Sequence, residues 1–506
     1  MANSKYEYVK SFEVEDEIMP PNIIVVRLDG REFRRFSEVH EFEKPNDKKA
    51  LELMNECAMA VLEQFPDIIF SYGYNDEYSF ILKKGTKFYQ RRASKILSLI
   101  VSFFTSVYVT KWKVLFPQKD LRYAPSFQSR VICCASVEVL QAYLAWRQNE
   151  CHLNNQFDTC FWQLIKSGKS EKEAEEMLKV EDIVKYKDDG CPVKRPRKKV
   201  ITVHSENIAA RRFWNDQSCL LKELGQFTED LNRVKPEYLK SFQYESRLMP
   251  HTWIVIRIDG CHFHRFSEVH EFEKPNDAHA LDLMNSCATS VLEEFKDIVF
   301  AYGVSDEYSF VLKKESQLYE RHASEIVSAV VSFFSSMYSM KWKEFFPQKE
   351  MKFSPYFDGR AVCYPSCQIL RDYLSWRQVD CHINNQYNTC FWMLVKSGKS
   401  KSEAQNYLKG TQAHEKNELL VQLSGIMDYY NTLPLMFRQG SSVYWDKEMK
   451  VVDSKEEGGA GKSRKIAVVK YCNIIENSFW EAHPEILDEK HNCWNIQSCN
   501  SKSTQM

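Results

Sequence analysis

The chain carries almost no net charge, and its cysteines follow no metal-binding spacing. Sixty-eight lysine and arginine residues face 69 acidic residues, which leaves a formal charge of −1. Any nucleic-acid surface must therefore be a local patch, because the global charge favours neither RNA nor DNA. None of the 16 cysteines belongs to a CxxC pair, which argues against structural zinc. A chain this long needs no disulfide scaffold, so we expect reduced, buried thiols.

The sequence also shows no apolar stretch that we judge long enough to span a membrane. Its polar start, MANSKYEYVK, lacks the apolar core of a signal peptide, so we expect neither secretion nor a membrane partner. With 44% hydrophobic and 27% charged residues, the composition predicts a soluble globular protein of two or three domains.

A long internal repeat is the most informative feature that the chain does contain. Residues 5–170 recur without a gap as residues 235–400, and RFSEVHEFEKPND is identical at Arg35 to Asp47 and at Arg265 to Asp277. Each copy is long enough to bury its own core, so the repeat predicts duplicated domains rather than a solenoid. The predicted division is a first domain at 1–180, a basic linker at 181–232 and a second domain at 233–506.

Each copy mixes strand and helix patterns without strict alternation. An apolar run ends at Asp-Gly, a helical stripe extends from Leu51 to Phe65, and a strand–turn–strand pattern covers Ile68 to Leu82. Further patterns predict a long helix, a strand and more helices at Phe88 to Leu115, Arg130 to Cys134 and Val137 to Lys166, with a capping box at Ser170 and Glu173. The predicted fold class is α+β, with an antiparallel or mixed sheet packed with helices in each domain.

Carboxylates stand at the ends of apolar runs in both copies, Asp29 with Asp76 and Asp259 with Asp306. Two acids on neighbouring strand ends can share a pair of Mg²⁺ ions about 3.5–4 Å apart, and the carbonyl of Gly30 could add an oxygen. Asp-Gly and Asn-Asp-Glu are also common turn sequences, so a turn would explain either one alone. Because both recur in copies that differ elsewhere, we favour paired metal-dependent catalytic sites.

Basic residues near these acids are candidates for binding a triphosphate. Arg31 and Lys44 follow the first acid, and Arg92 and Lys95 share one predicted helix. The alternative is a solvated helix face, which we would prefer without the acids. The segment SGKS at Ser167 to Ser170 is not a phosphate loop, because it follows a helix and lacks the required earlier glycine.

Two further elements suggest nucleic-acid contacts. CHLNNQFDTCFW, at Cys151 to Trp162, recurs as CHINNQYNTCFW at Cys381 to Trp392, and its histidine and paired asparagines suit phosphates or base edges. A polar helix start with a buried Phe-Trp pair explains only half of these residues. The cluster Lys194 to Lys199 is either a nuclear-import signal or an RNA contact, and a solvated basic loop explains it equally well. We predict a nuclear location, with the cytoplasm as a second site.

These motifs together resemble the eukaryotic tRNA-histidine guanylyltransferases, in the tandem-domain form known from plants. The resemblance is carried by LDGREF or IDGCHF, KPND, YGYNDEYSF or YGVSDEYSF, HINNQYNT at His382 to Thr389, and FWEAHPEILDE at Phe479 to Glu489. It implies two domains like the palm of template-dependent polymerases, with two Mg²⁺ ions per site. It further implies addition of a guanylate to the 5′ end of tRNA-His, with ATP and GTP as substrates, and self-association of the palm-like domains.

The resemblance assigns roles to residues of both copies. Predicted catalytic residues are Asp29, Asp76, Glu77, Asp259, Asp306 and Glu307, and predicted metal ligands are Asp29, Gly30, Asp76, Asp259, Gly260 and Asp306. Predicted nucleotide contacts are Asp29, Gly30, Arg31, Glu32, Phe33, Arg34, Lys44, Asn75, Asp76, Arg92, Lys95, Asp259, Gly260, Cys261, His262, Phe263, His264, Lys274, Ser305 and Asp306. Predicted tRNA or phosphate contacts are His152, Asn154, Asn155, His382, Asn384 and Asn385.

The two copies depart from each other at several of these positions. The first has Arg34 where the second has His264, and the second has Glu325 where the first has Lys95. Which copy is active is therefore left open. The alternatives are a tRNA-binding scaffold with reduced catalysis and, less favoured, a palm-fold nucleotide cyclase, which would not account for the HINN element.

Overall fold

The computed structural model describes residues 4–178, 206–225, 241–244, 246–447 and 465–487. The chain folds into two compact units: the first is Asp16–Glu245, and the second is Ser246–Met506 together with Met1–Glu15. This division differs from the predicted one in two places, because residues 4–15 pack in the second unit and residues 206–225 and 241–244 belong to the first. The basic cluster Lys194 to Lys199 lies outside the described residues.

The first unit is built on an antiparallel sheet in the order β2-β3-β1-β4-β5. Its strands are β1 (Ile23–Gly30), β2 (Ile68–Tyr74), β3 (Glu77–Leu82), β4 (Phe127–Cys134) and β5 (Gln243–Tyr244). Its described helices are α1 (Phe33–Val39), α2 (Lys48–Gln64), α3 (Ala93–Leu115), α4 (Val137–Lys166), α5 (Glu171–Met177), α6 (Arg211–Asp216) and α7 (Ser218–Leu224).

Among its described residues, the second unit repeats the first four strands of this sheet, has no strand that matches β5 and adds β10 and β11 at the other edge. The order is β11-β10-β7-β8-β6-β9, again with antiparallel neighbours. Its strands are β6 (Trp253–Gly260), β7 (Ile298–Val304), β8 (Glu307–Leu312), β9 (Phe357–Tyr364), β10 (Ser441–Lys447) and β11 (Lys465–Lys470). Its described helices are α8 (Phe263–Val269), α9 (Ala278–Glu294), α10 (Ala323–Phe345), α11 (Cys367–Lys396), α12 (Lys401–Leu408), α13 (Ala413–Ser424), α14 (Tyr429–Thr432), α15 (Leu435–Gln439) and α16 (Asn477–Ala482). The predicted α+β class is confirmed.

A strand, a helix cap and a capping box lie where the sequence predicted them. Strand β1 is central and buried on both faces, which explains its continuous apolar run. Asp47 caps α2 by accepting a hydrogen bond from the backbone N–H of Ala50 at 3.0 Å. Ser170 and Glu173 form the predicted capping box at the start of α5.

Helix α3 corrects the expectation that no segment reaches membrane-spanning length. It has 23 residues, and by length and composition it could cross a membrane. However, 78% of its most apolar window is buried inside the fold. Its apolar character follows from core packing, because Phe104 and Tyr108 on this helix lie against Phe127 of β4.

The opening segment of each copy packs in the unit that is formed by the other copy. The segment of residues 4–15, here called the N-terminal arm, forms a 3₁₀ helix at Glu7–Phe12 and buries Val9 completely in the core of the second unit. The matching segment of the second copy supplies β5, which pairs with Val131 and Ile132 of the first unit. The sequence aligns Glu13 of the arm with Gln243 of β5.

Candidate active site

Two hairpin tips bring the predicted acids to the end of the central strands. The β2–β3 turn has only two residues, because Tyr74 pairs with Glu77, and Asn75 adopts a left-handed φ of 50°. The backbone N–H of Gly30 donates to the carbonyl of Asp76 at 3.1 Å, which holds the tip beside Asp29. The second unit repeats this contact at 3.0 Å between Gly260 and Asp306, with Ser305 at a φ of 56°.

Close packing explains the glycine in each copy. A β-carbon at Gly30 would lie 2.5 Å from the ring of Phe33 and 2.6 Å from Oδ2 of Asp76. At Gly260 the equivalent atom would lie 2.4 Å from the Phe263 ring. Any larger residue would push the acid away from the strand end, so the Asp-Gly pair does more than form a turn.

Burial and mutual repulsion raise the pKa values of these acids. Burial, together with the nearby charge of Asp29, raises the pKa of Asp76 to about 6. Burial raises the pKa of Asp259 to about 7, and the charges of Asp306 and Glu307 add to that rise. Burial also raises the pKa of Asp306. Crowded, partly dehydrated carboxylates of this kind are typical of sites that bind a cation or transfer protons.

Glu77 and Glu307, predicted as catalytic, lie in buried ion-pair networks. Arg27 lies 2.8 Å from one oxygen of Glu77, and Arg147 of α4 contacts both oxygens, with its Nε donating at 2.7 Å. Burial raises the pKa of Glu77 while both guanidinium groups oppose that rise. Arg257 and Arg377 bind Glu307 in the same way, at 2.5 and 2.7 Å. This geometry favours a role in orienting the arginines, and the catalytic assignment stays a prediction.

Asp358 lies within the second acid cluster, although it was not among the site residues predicted from the sequence. Asp358 pairs directly opposite Asp259 on the neighbouring strand, is buried, and its charge contributes to the raised pKa of Asp259. The signal available in the sequence was the difference between Asp358-Gly359-Arg360 and Gln128-Ser129-Arg130. The second unit therefore gathers one more carboxylate than the matched positions of the first.

These oxygens fit the way that proteins bind Mg²⁺. Among the described residues, no group of three or more His, Cys, Asp or Glu side chains is arranged to hold a metal ion by itself. Magnesium sites commonly use only one or two carboxylates and complete the shell with substrate phosphates and water. Asp259 with Asp306, and Asp29 with Asp76, could supply those carboxylates, and the Gly260 and Gly30 carbonyls lie at the same strand ends.

The lysine of the KPND element is held by the same side-chain contact in both units. Nζ of Lys274 donates to Oγ of Ser267 at 2.7 Å, and Lys44 makes the same contact with Ser37. Burial lowers the pKa of Lys274, an effect that the charge of Asp306 opposes, so these two groups lie within electrostatic reach. Lys274 is thus placed to meet an anion bound at the second acid cluster.

The predicted nucleotide segments form the turns from β1 into α1 and from β6 into α8. Glu32 and His262 have left-handed φ angles of 54° and 57° and stand at the helix starts. The backbone N–H of Cys261 donates to Tyr356 at 2.9 Å. Arg31 contacts Ser126 at 3.4 Å, Phe33 stacks on Phe36, and the side chains of Arg34 and His264 are 81% and 80% exposed.

The HINN element lies on the long helix of each unit but in different surroundings. In the first unit His152, Asn154 and Asn155 are exposed on α4. In the second, helices α12 to α15 pack around α11, Asn385 is buried, and Tyr430 lies 3.4 Å from its amide and 3.5 Å from Nδ1 of His382. Burial lowers the pKa of His382, with the charge of Arg438 adding to the effect, whereas Asn384 stays exposed.

The second asparagine of this element also holds the KPND loop. Asn46 donates to Asn155, and Asn276 donates to Asn385, each at 2.8 Å. Part of the recurrence of the two asparagines is therefore structural, since it fixes the loop that carries Lys44 or Lys274. A direct phosphate contact by Asn155 or Asn385 stays a prediction.

Comparison with known proteins matches both copies to one family. The model described as tRNAHis guanylyltransferase matches residues 6–135 and 236–365, and the Thg1 C terminal domain matches 138–189 and 368–479. The chain is 62% identical to tRNA(His) guanylyltransferase 1 of Arabidopsis thaliana, over 96% of this chain and 91% of the relative. The chain belongs to the tRNAHis guanylyltransferase family.

Another relative in this family has the same extent. The chain is 59% identical to tRNA(His) guanylyltransferase 2 of Arabidopsis thaliana, over 96% of this chain and 99% of the relative. The crystal structure of the Saccharomyces cerevisiae tRNA(His) guanylyltransferase is 47% identical and covers 42% of this chain and 93% of its own, with a TM-score of 0.40. The predicted family resemblance is confirmed.

Two of the residues predicted to contact nucleotide in this guanylyltransferase-family chain, Arg92 and Lys95, do not lie beside the acids. Arg92 precedes α3 and pairs with Asp16 at 3.5 Å, and Lys95 lies over the ring of Tyr89. Tyr108, far along the same helix, packs against Phe33 beside the acids. The first unit therefore places Arg92 and Lys95 at the opposite end of α3 from its own acid cluster.

Proposed function

We propose that this chain adds a guanylate to the 5′ end of tRNA-His. In the proposed sequence, an oxygen of the tRNA 5′-monophosphate attacks the α-phosphate of ATP and releases pyrophosphate. The 3′-hydroxyl of GTP then attacks the activated 5′-phosphate and releases AMP, and pyrophosphate is later removed from the added nucleotide. Family membership supports this reaction, and the observation that carries it is the convergence of Asp259 with Asp306 at one strand end.

We propose two Mg²⁺ ions per active site, held by Asp259, Gly260 and Asp306 in the second unit and by Asp29, Gly30 and Asp76 in the first. When bound, Mg²⁺ would neutralise phosphate charge and make the attacking oxygen a better nucleophile. The chain's own contribution is to hold the two acids together on a rigid hairpin and strand.

The second unit is proposed as the active one. Its acid cluster includes Asp358, which the first unit replaces with Gln128. Arg257 lies 3.6 Å from Asp259, whereas in the first unit Arg27 binds Asp29 at 2.6 Å. An aspartate already neutralised by a close guanidinium is a weaker cation ligand, so the first site is the poorer one.

The nucleotide is proposed to lie across the turn at 259–264, with Lys274 near its phosphates and Ser305 beside it. His382 and Asn384 are proposed to contact the tRNA. Lys274 already lies within electrostatic reach of Asp306, and Asn384 is exposed, which supports both placements.

A transfer assay with labelled GTP and tRNA-His tests the proposal on the full-length chain. We expect Asp306→Ala to reduce transfer at least about a hundredfold, because it removes a ligand that acts directly on the reacting phosphates. Asp29→Ala should have a much smaller effect, and the double variant should resemble Asp306→Ala. Unaltered transfer by the double variant would reject the mechanism.

A second role is proposed for the first unit, as a tRNA-binding scaffold with reduced catalysis. Two observations favour it: the ion pair between Arg27 and Asp29, and the exposed His152 and Asn154 on α4. Asp29→Ala should then leave tRNA affinity unchanged, whereas His152→Ala should weaken it. Gel-shift titrations with tRNA-His would measure both.

Location and assembly are further parts of the proposal. The basic cluster Lys194 to Lys199 supports nuclear import, and a fluorescent fusion with these residues changed to alanine would test it. Duplicated palm-like domains support self-association, which sedimentation analysis would measure. A membrane partner is not proposed, because core packing accounts for α3.

A further inference from the structure

The N-terminal arm delivers one carboxylate to the charged network beside the second acid cluster. Glu13, at the end of the arm, lies 2.6 Å from Arg360 and 3.9 Å from Arg257. Arg257 is the residue that also contacts Asp259 and Glu307. A residue that belongs in sequence to the first copy is thus part of the charge arrangement around the second site.

The arm is firmly anchored in the second unit, so this position is fixed. Val9 is completely buried, and the ring of Phe12 packs against Tyr364 at 5.7 Å between centroids. The hydroxyl of Tyr8 donates to Asp372 at 2.5 Å, and Lys10 lies over the ring of Trp376. These contacts along the 3₁₀ helix leave Glu13 little freedom to turn away from the arginines.

The first unit differs at the position that matches Glu13. The residue aligned with Glu13 is Gln243, which is neutral. There Arg27 lies 2.6 Å from Asp29, whereas in the second unit Arg257 lies 3.6 Å from Asp259. The negative charge of Glu13 attracts Nη1 of Arg257, whereas Nη2 is the atom that contacts Asp259 and Glu307.

We propose that Glu13 is a positioning residue for the second site, which holds Arg257 and Arg360 so that the oxygens of Asp259 remain available to a divalent cation. The inference rests on the proposed function of the second unit. Glu13 and Asp259 compete for the guanidinium group of Arg257. Without Glu13, Arg257 would move onto Asp259 and give the pairing that Arg27 makes with Asp29.

Glu13→Gln tests this by installing the residue that the first unit has. In the full-length chain carrying Asp76→Asn, which weakens the first site, Mn²⁺ binding is measured by electron paramagnetic resonance without nucleotide. We expect a loss of affinity of about tenfold, as is common when the residues that orient metal ligands are changed. Transfer should need about tenfold more Mg²⁺ for half-maximal rate, with little change in the rate at saturating Mg²⁺.

Two variants provide matched controls. Glu15→Gln removes the same charge two residues further on, at an exposed position, and should change neither measurement. Gln243→Glu adds the missing carboxylate to the first unit, and in a chain carrying Asp306→Asn it should tighten Mn²⁺ binding. Hydrogen exchange at Val9 and Phe12 shows whether the arm remains docked in Glu13→Gln. The Mn²⁺ affinity of this variant is compared with that of the parent chain only if the arm is docked.

The inference would be overturned by unchanged Mn²⁺ affinity and unchanged Mg²⁺ dependence in a docked Glu13→Gln chain. If the arm undocks, Gln243→Glu decides alone, and no gain in affinity there overturns the inference. Failure of the proposed function has a different outcome, since transfer would then survive Asp306→Ala whatever Glu13→Gln does.

Discussion

The two units share a hairpin, a pair of acids and a buried arginine network, but they treat the first acid differently. In the first unit Arg27 pairs with Asp29 at 2.6 Å and neutralises its charge. The two matched positions that carry acids in the second unit are the uncharged Gln128 and Gln243. In the second unit, the matched positions are Asp358 and Glu13, and the arginine lies further from its aspartate. A small number of charges can therefore separate a site that suits a cation from one that has the same backbone but suits it less.

The comparison also shows what each unit does with its long helix. In the second unit helices α12 to α15 bury the HINN element, whereas the matched residues of α4 are exposed. The same sequence motif is thus part of a core in one copy and part of a surface in the other.

The largest expected effect is one that the two units should share. Arg377→Ala and Arg147→Ala each remove one of the two guanidinium groups that bind a buried glutamate, which should cost about 3–5 kcal/mol in the free energy of unfolding of that unit. Urea titration followed by hydrogen exchange on unit-specific peptides would measure it. Arg212→Ala, which breaks an exposed pair with Asp216, is the control and should cost less than about 1 kcal/mol. Equal loss of protection in both units from one variant would contradict the expectation.

The next effect should separate the units. Asn385→Ala removes a buried amide that accepts from Asn276 and contacts Tyr430, so about 1–3 kcal/mol of stability should be lost. Asn155→Ala breaks only the exposed equivalent with Asn46, and water can replace that partner. Thermal unfolding of the two variants would compare them. A loss from Asn155→Ala as large as that from Asn385→Ala would mean that burial of α11 is unimportant.

A third effect should follow from exchanging Asp358 and Gln128, the matched residues that distinguish the two acid clusters. Asp358→Gln should raise the Mg²⁺ concentration for half-maximal transfer about tenfold, because it removes a negative charge beside Asp259. Gln128→Asp should not restore transfer to an Asp306→Ala chain, since Arg27 still neutralises Asp29. Restored transfer would show that one charge alone separates the two sites.

The smallest effect concerns two histidines that should behave alike. In each unit a buried histidine contacts a backbone carbonyl through Nδ1 and accepts a backbone N–H through Nε2, in His40 from Arg122 and in His270 from Lys352. Burial lowers both pKa values. The folded state thus favours the neutral ring, and its contribution to stability is present above the ordinary histidine pKa of about 6.5 and is lost as the pH falls below it.

Melting temperatures between pH 7.5 and pH 5.5 would measure this decline, with His40→Asn and His270→Asn as controls that should flatten it. Both units should lose stability to a similar extent. A decline in only one unit would show that the two environments differ more than their contacts indicate.

Much of the candidate site could be predicted because the two copies within the chain can be compared with each other. Asp29 and Asp76 stood out because acids at the ends of apolar runs recurred in a second copy with different neighbours. Strand length and turn chemistry then required the hairpin that brings Asp76 to Gly30. Arg92 and Lys95 could not be placed in the same way, because helical spacing gives the face of a helix and not which of its ends lies near a given strand end.

The sequence by itself determined the family, the duplication, the α+β class and the pair of acids in each copy, since these depend on local periodicity and on motifs of adjacent residues. Only the tertiary structure decided that the N-terminal arm packs in the second unit and that β5 completes the first sheet. It also decided that Glu13 pairs with Arg257 and Arg360 and that Asp358 lies opposite Asp259. Two similar copies offer similar surfaces to each segment. The choice between them depends on long-range packing, which a repeated sequence does not record.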